Sequence, residues 1–375
     1  MTPPSSSYWR PGDEPGHRQF VTLTHDAGPL NLEGGGTLDS VTVAYETWGT
    51  LNTFRSNAVL VLHALTADSH ATGPAGLGHG ASGWWQGVIG PGLAIDTDDY
   101  FVVCPNVLGA CQGTTGPSSL AGDGQPFASR FPVITIRDQV SVEVALSDHL
   151  EIESWACVVG GSMGGMRALE WAVAHPERIN RAVVLSVGAA STADEIALCA
   201  LQVRAIRVDP NFNGGDYYPQ ARGPDEGLAI ARGLGQFSYR TGNEFETRFA
   251  RDLQVPSDVV GMGDYAIESY LKYQGNKLVA RFDPNSYIVL SEAMNHHDVG
   301  RGRGGVAAAL KDVSVPVTVA GILSDRLYPL ELQEQLVELL PNAAPLEIIS
   351  SHFGHDGFLL EVAQVGKVIE LALRR

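Results

Sequence analysis

Short apolar runs alternate with amphipathic segments along most of the chain. Four runs are rich in β-branched residues, the pattern typical of strands buried on both faces of a sheet. They are NAVLVLHAL (57–65), YFVVCPN (100–106), WACVVG (155–160) and RAVVLSVG (181–188). Apolar residues recur at helical spacing in 137–152 and 164–179. This order of strands and helices predicts an α/β domain with a mostly parallel central sheet flanked by helices.

The pattern differs on either side of this region. Residues 20–24 and 41–49 have strand patterns separated by a turn-rich segment, which predicts antiparallel strands at a sheet edge. Residues 190–305 are rich in Arg, Tyr, Asp and Gly, with helical patches and no buried strand pattern. Strand and helix patterns then resume at VPVTVAGI (315–322) and continue to the last residues. We therefore expect one core that is interrupted by a helical insertion.

The predicted organisation has three parts. The α/β core comprises 20–189 and 306–375, a helical cap comprises 190–305, and a polar, Pro-rich, flexible N-terminus comprises 1–19. The N-terminus lacks the apolar centre of a signal peptide, and no apolar stretch approaches the length of a membrane span. We expect a cytoplasmic protein.

Composition excludes several classes of function. The formal net charge of −17 argues against nucleic acid or an anionic membrane as the main partner, because both favour basic surfaces. An anionic substrate would need local Arg or Lys residues. The four cysteines have neither disulfide-framework nor zinc-site spacing, so we expect reduced core thiols and no metal.

Candidate chemistry centres on Ser162 in the string Gly160-Gly161-Ser162-Met163-Gly164-Gly165, between a buried strand and an amphipathic helix. This context is the one that a GxSxG nucleophile elbow requires, because small neighbours make room for a strained serine. The N–H of Met163, at the start of the helix, can donate to an oxyanion. A second donor is expected in the loop that begins at His63, where Leu65 is the candidate.

An activated serine needs a base and a carboxylate that orients the base. Asp325 and His355 each follow a later strand, in the chain order Ser, Asp, His that this fold uses. His352 is the alternative base, whereas His296 and His297 in the insertion are expected to be structural or surface residues. The sequence therefore predicts a triad of Ser162, Asp325 and His355.

Two charged residues suggest an acceptor site. Arg232 in the cap could hold a substrate carboxylate, and Asp356, beside His355, could hold an ammonium group, so that together they would bind an amino acid. A surface or ion-pair role for a cap arginine is the alternative. The string GRGRGG (300–305) satisfies GxGxxG but follows no strand, so a turn or contacts to an anionic substrate are favoured over a dinucleotide site.

The chain resembles the homoserine O-acetyltransferases of the α/β-hydrolase superfamily from about residue 20 to its end. The matching strings are LHALTADSHATG, NVLGACQGTTGPSS, GGSMGGMRALEW, GLAIARGLGQFSYR, SYLKYQGNKLVARFDPNSY, HHDVGRGRGG, SDRLYP and SHFGHDGF. Ala67 and Ala110 stand where the family often has glycine. The resemblance implies acetyl transfer from acetyl-CoA to L-homoserine, with no bound cofactor and no metal.

The resemblance also implies roles for particular residues. Ser162, Asp325 and His355 match the family's triad, Arg232 and Asp356 its homoserine-binding residues, and Tyr239 a cap tyrosine near the substrate. A ping-pong mechanism through acetyl-Ser162, a cap that excludes water and a homodimer formed through the cap are implied as well.

Three alternatives use the same scaffold: succinyl transfer, acetylation of serine, and ester hydrolysis. Arg232 and Asp356 argue against a hydrolase of neutral esters, which would not need them, and an intact triad argues against a non-enzymatic binding protein. Arg301 and Arg303 are candidate contacts to the CoA phosphates.

Overall fold

The computed structural model describes residues 8–23, 28–254 and 264–374. An eight-stranded sheet forms its centre. In chain order its strands are β1 (Gln19–Leu23), β2 (Val41–Trp48), β3 (Ala58–Leu62), β4 (Phe101–Pro105), β5 (Cys157–Gly161), β6 (Ala182–Leu185), β7 (Val317–Ile322) and β8 (Glu347–Ile349). Two short strand pairs, Leu30–Asn31 with Thr37–Leu38 and Ile89–Gly90 with Ile95–Asp96, lie outside it.

The spatial order of the strands is β1-β2-β4-β3-β5-β6-β7-β8. β2 pairs antiparallel with both β1 and β4, and every other neighbouring pair is parallel. The structure therefore confirms the predicted parallel sheet with an antiparallel edge. Because β5 lies between β3 and β6, the loops that leave these three strands meet at one edge of the sheet.

The sheet has an apolar core on each face. Consecutive residues of β5 alternate between the two cores, since Val158 packs into one and Val159 into the other. Both are fully buried, as expected for a strand covered on both sides.

Helices cover both faces. They are α1 (Ile136–His149), α2 (Met163–Ala174), α3 (Ala193–Arg207), α4 (Asp225–Tyr239), α5 (Gly242–Phe249), α6 (Ala266–Val279), α7 (Pro284–Asn295), α8 (Val306–Lys311), α9 (Leu330–Leu339), α10 (Gly357–Leu360) and α11 (Val362–Arg374). Helices α3 to α7 lie in the chain between β6 and β7, and α4 packs against α3 and α6. The exact limits of the cap, 190–305, stay a prediction.

The C-terminal segment differs from the single helix that its pattern predicts. It forms α10 and α11, which are separated at Glu361 (φ −86°, ψ 55°). The carbonyl of Phe358 accepts a hydrogen bond from the indole Nε1 of Trp85 at 3.1 Å. In a continuous helix this carbonyl would accept from the amide four residues later. The indole of Trp85 therefore donates to a carbonyl in the turn at which the helix breaks.

The N-terminal residues that the structure describes pack against the body of the protein. The amide of Trp9 donates to the carbonyl of Cys111 at 2.9 Å, and its ring stacks on Phe20 with centroids 4.7 Å apart. Arg18 is buried and donates to the carbonyl of Gly78 at 3.0 Å. Residues 8–19 thus differ from the flexible segment predicted for 1–19, whereas 1–7 lie outside the described residues.

Two further properties bear on function. All four cysteines are free and buried, in agreement with the expectation of reduced core thiols. Within the described ranges, no helix has both the length and the apolar character needed to cross a bilayer.

Candidate active site

Ser162 lies on a sharp turn between β5 and α2, with φ 56° and ψ −127°. Its amide donates to the carbonyl of Leu185 on β6 at 3.0 Å, and its carbonyl accepts from the amide of Met166 at 2.9 Å. A positive φ is rare for a residue with a side chain and indicates local strain. The strand, turn and helix predicted around Ser162 are therefore present, and hydrogen bonds on both sides hold the turn.

The glycines of the elbow are needed for close packing of the backbone. A Cβ at Gly160 would lie 2.3 Å from the carbonyl oxygen of Gly164. A Cβ at Gly164 would lie 2.0 Å from the carbonyl oxygen of Leu62, at the end of β3. The first turn of α2 therefore rests directly on the loop that follows β3.

His355 and Asp325 meet at the same edge of the sheet as this turn. Nδ1 of His355 lies 2.6 Å from Oδ2 of Asp325. The other carboxylate oxygen of Asp325 accepts from the amides of Leu327 and Tyr328, each at 2.9 Å. These bonds make Asp325 an acceptor and His355 Nδ1 the donor, which leaves Nε2 with a free lone pair.

Nε2 of His355 has no hydrogen-bond partner within the described part of the chain, although it is buried. Burial opposes the charged imidazolium, but Asp325 outweighs it and, with Asp356 and Glu195, raises the pKa of His355 above its ordinary value. A raised pKa strengthens the imidazole as a base. The arrangement suits a group that takes a proton from Ser162 and returns it.

Glu195 was not identified from the sequence. It lies in the first turn of α3, which follows β6 between the strands that carry Ser162 and Asp325. Its amide and one carboxylate oxygen form a capping box with Thr192, but its second oxygen, Oε1, is buried without a partner in the described residues. Burial raises the pKa of Glu195 to about 7. The T-x-x-E spacing predicts the cap, but no sequence signal indicates its nearness to His355.

The two candidate oxyanion donors come from adjacent elements. Met163 is the first residue of α2, where a backbone N–H has no partner within the helix. Leu65 follows β3, which pairs with β5. A buried network fixes the start of its loop: Nε2 of His63 accepts from the amide of Val107 at 3.0 Å, and Arg167 donates to the carbonyl of His63 at 2.5 Å.

The structure brings Arg232 and Tyr239, both on α4, toward this edge. The Arg232 guanidinium lies 5.6 Å from the centroid of the Tyr239 ring, and that ring is 6.0 Å from the His355 ring. Burial raises the pKa of Tyr239, so the phenol is neutral. The cap therefore places Tyr239 near His355, and Arg232 near Tyr239.

Asp356 has a partner that the sequence did not suggest. Its Oδ2 lies 3.2 Å from Nε of Arg240, which also approaches Glu244 at 3.4 Å. Arg240 follows directly after α4, and its guanidinium lies over the ring of Phe353. The carboxylate of Asp356 is thus held by a cap residue.

The alternative bases lie elsewhere. His352 is exposed with its ring on Phe353, and His296 is exposed at the end of α7. His297 is buried, its Nε2 lies 3.0 Å from the carbonyl oxygen of Gly188, and burial lowers its pKa to about 4. These positions agree with structural or surface roles.

Arg301 and Arg303, predicted as candidates for CoA phosphates, have other partners. Arg301 pairs with Glu33 at 2.7 Å, and Arg303 pairs with Glu170 through Nη1 at 2.9 Å. Both guanidinium groups thus pair with carboxylates distant in sequence, and contacts of these arginines to CoA stay a prediction. Residues 300–305 form a turn with positive φ at three glycines, as predicted for this string.

Glu46, His70 and His79 form a buried cluster near the loop after β3. The two imidazole rings stack with centroids 3.8 Å apart and an interplanar angle of 12°. Glu46 accepts from His70 Nδ1 and from Ser69, each at 2.9 Å, and His79 Nε2 accepts from the amide of His17. Stacked rings cannot direct their lone pairs at one ion, so the cluster fits a hydrogen-bond network better than a metal site.

The comparisons with known proteins agree with this geometry. The family described as alpha/beta hydrolase fold matches residues 57–362. The protein is thus an enzyme of the α/β-hydrolase class.

More specific relatives follow. A homoserine O-acetyltransferase of Thermobifida fusca (strain YX) is 56% identical over 98% of this chain and 96% of its own length. The structure of a homoserine O-acetyltransferase from Bacillus anthracis matches with a TM-score of 0.87 and 29% identity, over 96% of this chain and 98% of the other. The structure of the esterase E22 matches with a TM-score of 0.85 and 27% identity, over 95% of this chain and 100% of the other. The chain belongs to the homoserine O-acetyltransferase family.

Proposed function

We propose that the enzyme transfers an acetyl group from acetyl-CoA to the side-chain hydroxyl of L-homoserine, through an acetyl ester on Ser162. The name shared by its relatives supports the overall reaction. The observation that carries the mechanism is the 2.6 Å contact between His355 and Asp325, which leaves Nε2 of His355 buried and without a partner in the described residues.

In the first half-reaction, Nε2 of His355 takes the proton of Ser162 as Oγ attacks the thioester carbonyl. The amides of Leu65 and Met163 donate to the resulting oxyanion. The intermediate then collapses, and the CoA sulfur leaves with the proton from His355. Asp325 holds the imidazole in one tautomer throughout.

In the second half-reaction, the homoserine hydroxyl gives its proton to His355 and attacks the acetyl carbonyl. Collapse of the second intermediate releases O-acetylhomoserine and returns the proton to Ser162. Arg232 binds the acceptor carboxylate and Asp356 its ammonium group, while Tyr239 lines the space between them. The order of the two half-reactions makes the mechanism ping-pong.

Water must be kept from the acetyl ester. Ser162 is only 7% exposed, and α4 of the cap contacts the rim through Arg326, which donates to the carbonyls of Phe237 and Ser238. The cap is thus joined to the rim that carries Asp325. We assign water exclusion to it.

Ester hydrolysis is the second candidate function, because the esterase E22 has the same fold at 27% identity. The deciding assay supplies acetyl-CoA or succinyl-CoA with homoserine, serine or no acceptor, and follows thiol release and product mass. We expect one thiol per active site without acceptor and sustained release only with acetyl-CoA and homoserine. Sustained release without acceptor would favour a hydrolase, and turnover with succinyl-CoA or serine would favour the corresponding transferase.

The enzyme's own thiols should not disturb this assay. Burial raises the pKa of all four cysteines, which lowers their reactivity toward thiol reagents. A colorimetric reagent therefore reads the CoA that is released.

The assembly and cellular location are proposed from the family alone. We propose a cytoplasmic homodimer that forms through the cap. Light scattering at micromolar concentration should give twice the mass of the chain, and a monomeric mass would refute the dimer.

A further inference from the structure

Two arginine side chains converge on Thr66, the residue after the candidate oxyanion donor Leu65. Nη1 of Arg232 lies 3.4 Å from the hydroxyl of Thr66. Nη1 of Arg281 donates to the carbonyl oxygen of the same residue at 2.6 Å. Arg232 lies on α4 and Arg281 follows α6, so two elements of the cap direct guanidinium groups to one point of the core.

Neither guanidinium has a carboxylate partner within 4 Å among the residues that the structure describes. Asp68 is the acidic residue that attracts Arg281, but it is itself 3.6 Å from Arg18. The charges of Asp68 and Arg18 therefore offset each other. The charges of Arg232 and Arg281 are left without a compensating carboxylate in the described residues.

The backbone on both sides of Arg281 is fixed. Its amide donates to the carbonyl of Leu278 at 2.9 Å, and its carbonyl accepts from the side chain of Gln112 at 2.9 Å. Phe282, the next residue, is buried in the core. The side chain of Arg281 therefore extends from a backbone that is held in place.

The two charges act on each other. Burial and the nearby charge of Arg232 lower the pKa of Arg281. Like charges that are held together without a counterion destabilise a folded protein, and a bound anion would relieve the repulsion.

We propose that Arg281 and Arg232 together form a two-guanidinium site for the carboxylate of the acceptor amino acid. The inference rests on the proposed function and adds Arg281 to the acceptor site. Two guanidinium groups can donate charge-assisted hydrogen bonds to a carboxylate from two directions, whereas a single arginine donates from one.

The position of the site favours the acceptor over the donor. The carboxyl carbon of homoserine is four bonds from the hydroxyl oxygen that attacks the acetyl group, so it must lie near the oxyanion loop. Thr66 is in that loop. The CoA phosphates are separated from the thioester by the length of the pantetheine arm. A dicarboxylic acyl donor could bring its own carboxylate here, and the experiment separates that source.

The kinetic test compares the wild type with Arg281→Gln and Arg281→Lys, using L-homoserine and 3-amino-1-propanol, which is homoserine without the carboxylate. We expect Arg281→Gln to lower kcat/KM for homoserine about 10- to 100-fold, the usual effect of losing a hydrogen bond to a charged group. For the same variant, kcat/KM for 3-amino-1-propanol and the thiol burst from acetyl-CoA should stay within twofold of the wild-type values. Arg281→Lys should retain part of the homoserine activity.

Lys272→Gln is the matched control, because it removes one exposed positive charge from α6 and should leave all three readouts unchanged. If Arg281 only supports the Thr66 loop, Arg281→Gln will lower the burst and both acceptors equally. If the site takes a donor carboxylate, only the burst from succinyl-CoA will fall. Either result overturns the inference.

A binding test does not depend on turnover. Homoserine affinity is measured by calorimetry for Ser162→Ala and for the same variant with Arg232→Gln, Arg281→Gln or both. Two arginines on one carboxylate should be coupled, so the double change should weaken binding by less than the product of the single changes. Independent effects, or no effect of Arg281→Gln, would refute the shared site. Absence of wild-type turnover with homoserine would instead refute the proposed function.

Discussion

Ser162 lies in a backbone that tolerates almost no change, whereas Arg232 reaches Thr66 through one long contact of 3.4 Å. The elbow is held by main-chain hydrogen bonds and by glycines whose replacement would bring atoms within 2.3 Å of carbonyl oxygens. The proposed acceptor site is formed by the long charged side chains of Arg232 and Arg281, which extend from the cap. The core therefore fixes the reacting atoms, and the cap supplies adjustable charges.

This difference separates the two half-reactions. Changes in the core should impair both the formation and the use of the acetyl ester. Changes in the cap charges should impair only its use by the acceptor. The predictions below test that separation.

The largest effect is expected for Asp325→Asn. The amide cannot hold His355 in the required tautomer, and turnover should fall by about 10⁴. Stopped-flow thiol release should show that the burst slows by a similar factor. Wild-type turnover would refute the triad, and circular dichroism checks that the variant is folded.

A matched pair of glycines tests the rigidity of the core. Gly164→Ala should destabilise the protein by about 3 kcal/mol or abolish folding, because a Cβ would lie 2.0 Å from the carbonyl oxygen of Leu62. At Gly233, inside α4, an added Cβ would meet no atom of another element within 4 Å among the described residues. Gly233→Ala should therefore stabilise the protein by up to about 1 kcal/mol. Denaturant unfolding measures the free energy of unfolding of both variants. Similar changes for Gly164→Ala and Gly233→Ala would contradict the rigidity inferred for the elbow.

Asp356→Asn tests the acceptor site. If Asp356 binds the acceptor ammonium as proposed, loss of its charge should lower kcat/KM for homoserine about 10- to 100-fold. The thiol burst from acetyl-CoA should change much less, since no acceptor takes part. A burst that falls as far as kcat/KM would show that Asp356 acts mainly on His355 rather than on homoserine.

The smallest effect is expected for Glu195→Gln. His355 must be neutral to act as a base, so the burst rate should rise with pH through the pKa of His355. Glu195 contributes to the raised pKa of His355, and its own pKa is about 7. Removing its charge should shift the acid limb of the pH profile to lower pH. An unchanged profile, or a shift to higher pH, would refute this coupling.

The sequence predicts the core better than the cap. The strands, Ser162, Asp325 and His355 follow from rules of local pattern and chain order, since buried runs form strands and catalytic residues follow their carboxyl ends. In the structure each of these residues follows a strand of the central sheet, and their catalytic roles stay a prediction.

The charges of the cap could not be predicted in this way. Arg240 meets Asp356, Arg281 meets Thr66 and Arg303 meets Glu170 through packing of segments that are more than 100 residues apart in sequence. No local sequence pattern predicts which arginine will pair with a carboxylate in the folded protein. For the same reason the sequence did not predict the ion pairs of Arg301 and Arg303.

The backbone of Ser162 also places activity and stability in opposition. Its positive φ of 56° costs about 1–3 kcal/mol for a residue with a side chain. Ser162→Gly would relieve that strain and remove the nucleophile at once. A directed-evolution screen that rewards thermal resistance alone would therefore enrich inactive chains at this position. Only a screen that also demands product formation would retain the serine.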